Sequence, residues 1–110
     1  MSAFKRGILL VEQSITLEQF ELMRSKIEAA IIRSDFHVLD AYIHPQPEGF
    51  FSIFVLQESY VLIQTNSRRN EVYLEIMTDS DDYHRFGAAI DTFDQIAKIF
   101  NPTNIKAIVL

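Results

Sequence analysis

Cysteine and tryptophan are absent from this 110-residue chain, and glycine and proline occur only three times each. Without cysteine there is no disulfide, no thiolate metal site and no cysteine nucleophile. That fits a reducing compartment. So little glycine and proline leaves small room for a flexible linker, and neither a GxGxxG run nor a Walker-type phosphate loop occurs. A surplus of positive charge is missing too. The formal net charge is −5, and a general nucleic-acid binder would present a basic face. Beyond Lys5-Arg6, the only tight basic cluster is Arg68-Arg69. No apolar run approaches the roughly 20 residues that a membrane helix needs. "GILLV" is too short for the apolar region of a signal peptide and has no cleavage site after it. These absences lead to the expectation of one cytoplasmic domain spanning 1–110, with neither nucleic acid nor membrane as partner.

What the chain does have is apolar mass. Nearly half its residues are hydrophobic, including nine Phe and four Tyr, which can fill a core. "RGILLVEQ" (6–13) reads as a buried strand. In the following segment Leu17, Phe20, Met23, Ile27, Ala30 and Ile31 recur at helical spacing, so an amphipathic helix is expected. Thr16 with Gln19 makes a capping box at its start, and Ser34-Asp35 marks its end. Residues 36–44 return to strand character, and "PQPEG" (45–49) is a turn. Residues 50–57, 60–65 and 71–78 form a three-strand meander, with Glu58-Ser59 between the first two or at the start of the second. A second helix is expected over 79–101, its stripe running Phe86, Ala89, Ile90, Phe93, Ile96, Ala97 and Phe100. Asp79, Asp81 and Asp82 suit its positive N-terminal end. A last strand covers 104–110. The order β-α-β-β-β-β-α-β predicts an α+β, two-layer sandwich: a mainly antiparallel sheet with two helices on one face.

The three histidines lack a metal-ligand spacing. His37 and His44 are expected on one strand, pointing to opposite faces. The acidic run "DSDD" lacks the glycine and terminal glutamate of a calcium loop, and a helix cap explains it better. No metal is expected.

The specific signal lies between Gly49 and Ser80, in "GFFSIFVLQESYVLIQTNSRRNEVYLEIMTDS". This stretch resembles the core of the small prokaryotic S-adenosylmethionine decarboxylases. Gly49, Glu58, Ser59, Ile63, Thr65 and Thr78 match that pattern without a gap. The element order matches as well, including an N-terminal strand ending in Glu12. The resemblance implies an S-adenosylmethionine decarboxylase-like sandwich that dimerises and builds its sites at the dimer. In that family the serine attacks the preceding carbonyl, the chain cleaves through an ester, and the serine becomes a pyruvoyl group. This cofactor then serves decarboxylation in polyamine biosynthesis.

Carried over residue by residue, the resemblance puts Ser59 at the pyruvoyl serine and Glu58 at the new C-terminus. The processing histidine falls at Gln64, and a neutral amide is no general base near pH 7. The assisting serine falls at Phe51, the catalytic acid cysteine at Asp79, and the ribose-binding glutamate at Arg68. The leading expectation is therefore a divergent member that has lost self-processing and decarboxylation. It would act as a regulatory homologue, a homodimer or a heterodimer with an active paralogue. Arg68, Phe51 and Glu12 are its candidate ligand contacts, for a small anionic or nucleoside ligand. No cofactor is expected, and a pyruvoyl group arises from Ser59 only if processing occurs. One alternative is a divergent pyruvoyl-dependent decarboxylase cut at Glu58-Ser59, with Asp79, His44 or a main-chain carbonyl as helpers. The other is an unrelated α+β interaction module.

Overall fold

The structure, a computed structural model, describes residues 2–79 and 83–109. Its elements run β1 (Ser2–Leu10), α1 (Leu17–Arg33), β2 (Val38–Gln46), β3 (Gly49–Leu56), β4 (Ser59–Asn66), β5 (Glu71–Asp79), α2 (Tyr83–Ile99) and β6 (Asn104–Val109). The six strands form one sheet in the order β2-β3-β4-β5-β1-β6, and every neighbouring pair is antiparallel. The expected α+β class and element order are what the chain adopts.

Alternation sorts the sheet into two faces, because successive strand residues point opposite ways. On one face lie Phe50, Phe54 and Leu56 of β3, Val61 and Ile63 of β4, and Val72, Leu74 and Ile76 of β5, all buried. They meet Phe20, Ile27, Ala30 and Ile31 of α1 and Ala89, Phe93, Ile96 and Ala97 of α2 in one core. Among the described residues, no helix lies over the other face. It carries Phe51, Ile53, Val55, Tyr60, Leu62, Tyr73 and Met77, all partly buried. We call it the open face.

α1 starts where the capping box places it. The Thr16 hydroxyl accepts from the Gln19 N–H, and the Gln19 side chain accepts from the Thr16 N–H. Together these satisfy two of the donors that a helix start leaves orphaned. At its end, Arg85 of α2 donates to the Asp35 carbonyl at 3.0 Å while stacking over the Phe36 ring, which ties the two helices together.

Several sequence-based boundaries shift. β1 begins and ends earlier than expected, so it does not reach Glu12. Val11 lies just past the strand with its side chain in the core and its N–H donating to the Asn70 carbonyl, and Glu12 is exposed beyond it. β2 starts at Val38 and runs through Pro45, which an edge strand tolerates because one of its sides needs no N–H. His37 therefore precedes β2 and does not share a strand with His44. Asp79 is not a helix-start residue: it closes β5, paired with Ser2. The Asp81 and Asp82 caps lie outside the described residues. Among the described residues, no helix is long and apolar enough to cross a membrane.

Candidate functional site

The Glu58-Ser59 pair sits in the β3–β4 hairpin. Leu56 pairs with Ser59, so Gln57 and Glu58 are the two turn residues and Ser59 opens β4. Glu58 holds a φ of 56°, a left-handed conformation that disfavours any residue with a Cβ by about 1–2 kcal/mol. The Glu58 carbonyl accepts the Asp79 N–H at 2.8 Å. The bond that self-processing would break is thus strained on one side and has its carbonyl polarised by a backbone donor. Ser59 itself turns inward. It is buried on the helix side, and its hydroxyl donates to Thr78 Oγ1 at 2.9 Å. Threonine is an alcohol and cannot take the serine proton near neutral pH. Asp79 is exposed at the end of β5.

The other sequence-derived positions gather at the opposite end of the meander. Gln64 lies five residues along β4, roughly 17 Å from Ser59 at about 3.3 Å per residue. The odd step also turns it to the open face. Phe51 is its direct cross-strand partner, and its amide nitrogen donates to Gln46 Oε1 at 3.2 Å. Arg68 sits in the β4–β5 turn with its guanidinium 3.3 Å from Glu48, its side chain 78 % exposed. That turn is organised by Asn66, whose side-chain oxygen accepts both the Arg68 and Arg69 N–H groups. Such an arrangement is the local reason asparagine favours turns.

A pocket of about 550 Å³ opens at this end, lined by Gln46, Glu48, Gln64, Asn66, Glu71 and Tyr73 with Ile8, Pro47 and Thr65. Amides that both donate and accept, two carboxylates and one phenol line it alongside Ile8 and Pro47. No cation lines it. Of the sequence-derived positions only Gln64 does so. Glu12 instead borders a smaller cleft with Phe100 and Thr103.

The matched residues that are not at the cleavage pair have structural work. A Cβ on Gly49 would stand 2.4 Å from the Thr65 carbonyl oxygen, and its φ is 149°. Thr65 Oγ1 in turn accepts the Phe50 N–H at 3.0 Å inside the core. Ile63 is fully buried and Thr78 nearly so.

One cluster escaped sequence reasoning. At the centre of the open face Tyr60 and Tyr73 both donate to the Glu75 carboxylate, one to each oxygen. Burial, then the bond to Glu75, pushes the Tyr60 phenol up to about 12. The same two causes raise Tyr73, while Arg6 beside it pulls the other way. Alternation along β4 and β5 could have placed all three side chains on one face. Only the register, with Leu62 opposite Glu75, brings the two strands' polar groups together.

No protein-family model matches the chain, and no curated protein matches it significantly. Among solved structures, the adenosylmethionine decarboxylase from Aquifex aeolicus VF5 is similar, with a TM-score of 0.78. The match covers 100 % of this chain and 88 % of that one at 18 % identity. The two chains share a fold.

Proposed function

We propose that this protein is a non-processed relative of the S-adenosylmethionine decarboxylases, which keeps their sandwich and binds a ligand or partner instead of decarboxylating a substrate. The carrying observation is the state of Ser59: its hydroxyl is buried on the helix side and donates to the Thr78 hydroxyl, which is no base. Without a base the ester that precedes cleavage has no route for the serine proton. The fold shared with the Aquifex enzyme counts against the reading of an unrelated interaction module.

The pocket beside Gln64 is the ligand site in this reading. Its amides and carboxylates suit a neutral or cationic polar molecule, such as a nucleoside with ring nitrogens and hydroxyls, better than an anion. Arg68 is engaged by Glu48 outside the lining. The partner is a second copy or an active relative, seated on the open face. Ser59 and Asp79 stand at one end of the meander and Gln64 and Arg68 at the other. A two-fold axis running across the strands would bring the ends together, so that each site draws on both chains.

A second reading has its own support. The left-handed Glu58 and the Asp79 N–H on its carbonyl are what a cleavage-prone bond would need, which favours a divergent pyruvoyl decarboxylase. Purified protein incubated with carboxyl-labelled S-adenosylmethionine separates the two. Label release equal to that of the Ser59→Ala variant is expected. Release that Ser59→Ala abolishes would establish the enzyme and overturn the proposal.

A further inference from the structure

The two edges of the sheet are built differently. β2, on one side, carries the devices that keep an edge from recruiting another strand. Its register slips between Val38 and Asp40, and it contains Pro45. β6, on the other side, has neither proline nor bulge. It pairs with β1 in unbroken register from Lys5–Val109 to Leu10–Asn104, and each of its six residues is exposed. Ile105, Ile108 and Val109 are 43 %, 48 % and 54 % exposed. Among the described residues nothing pairs with its outer side.

The outward groups of β6 can be identified. The Ile105 N–H bonds the Asn104 side chain at 2.9 Å, so it points away from β1. Alternation then turns the N–H and C=O of Ala107 and Val109 outward as well. Gly7 agrees with this assignment. It faces Ala107 in a close pair, where an added Cβ would stand 2.9 Å from that of Ala107, as befits the narrow pairs of an antiparallel ladder that exchange no bonds.

We propose that β6 pairs antiparallel with β6 of a second copy about a two-fold axis through Ala107, joining two sheets edge to edge. In that register the outward groups meet: Ala107 exchanges both backbone bonds with its copy, and Ile105 does so with Val109. The Asn104 side chain yields the Ile105 N–H to make this possible. The side chains fit the same register. The smallest residue lies on the axis, Ile105 packs beside Val109 on the helix side, and the Lys106 stem lies along Ile108 on the open side. Lys106 is the only charge in β6, and no like charge stands directly opposite it. Branched pairs of this kind are what stabilise cross-strand contacts, whereas opposed like charges disrupt them. The surface is distinct from the open face.

The test is the native mass by sedimentation of the full chain and of Ala107→Lys and Ala107→Glu, each first checked for folding by circular dichroism. Each variant places like charges opposite each other on the axis, so half the wild-type mass is expected. Mixing the two in equal amounts should restore the wild-type mass. This holds whether or not the open face is also paired, since only the edge step is removed. Hydrogen exchange reads the wild type directly: the Ala107 and Val109 amides should be protected at high concentration and lose protection on dilution. An unchanged mass in both variants, failure of the mixture to reassociate, or unprotected Ala107 and Val109 amides at high concentration would overturn the proposal.

Discussion

Neighbouring residues of β4 and β5 divide by face. Those that match the decarboxylase pattern, Ser59, Ile63, Thr65 and Thr78, point to the helices and are buried. The open face and the ends hold those that depart from it: Phe51, Gln64, Arg68 and Asp79. Apart from Glu58, the matched residues have structural roles that owe nothing to catalysis. Gly49 leaves room for the Thr65 carbonyl, Thr65 secures the Phe50 N–H, Ile63 fills the core, and Thr78 accepts from Ser59. A resemblance concentrated on the buried face reports a fold. The departures from that pattern lie on the open face and at the strand ends.

The division can be broken hardest at Gly49. Gly49→Ala drives a methyl group into the Thr65 backbone at a φ of 149°. It should cost about 3 kcal/mol or more, read as a lowered urea midpoint. Wild-type stability in this variant would remove the structural account of the matched glycine.

Adjacent positions on one strand sharpen it next. Ile63→Ala empties a fully buried site and should cost about 2–5 kcal/mol. Leu62→Ala, one residue away on the open face, should cost about 1 kcal/mol in dilute protein, in line with its partial burial. If the open face pairs with another chain, the Leu62 cost should grow with protein concentration while the Ile63 cost holds steady.

Smaller still is the turn. Glu58→Gly relieves the left-handed strain but adds freedom to the unfolded chain, so a net gain of about 0.5–1 kcal/mol is expected. Loss of stability would mean that the Glu58 side chain makes contacts that matter.

The last contrast is spectroscopic. Tyr60 has a folded pKa raised to about 12, above the value of about 10 expected in the unfolded chain. Between those values the unfolded state releases the phenol proton and the folded state keeps it. Stability from this group is therefore complete below about pH 10 and is lost as pH rises towards 12. An ultraviolet titration should show a late tyrosine step whose amplitude Tyr60→Phe reduces.

The helix periods, the capping box and the meander could all be read in the sequence, because they rest on local spacing. The ends of elements were less legible. Ser2 to Lys5 look unlike a strand and join one only because β5 offers them partners as far as Asp79. Asp79 looks like a helix start for the same reason: its acidity is visible and its pairing is not. The Glu58-Ser59 pair was legible as either turn or cleavage site. The direction of the Ser59 side chain, which bears on both, follows from a pairing that the sequence does not display. The Glu75 cluster needed a register, which side-chain types alone do not supply.

The proposed absence of self-processing leaves Glu58–Ser59 an uncut hairpin link, and the intact mass of freshly purified, denatured protein reads that bond without an assay. One species near 12.7 kDa is the expected result. Two fragments divided after Glu58, the later one blocked by a pyruvoyl group, would contradict it.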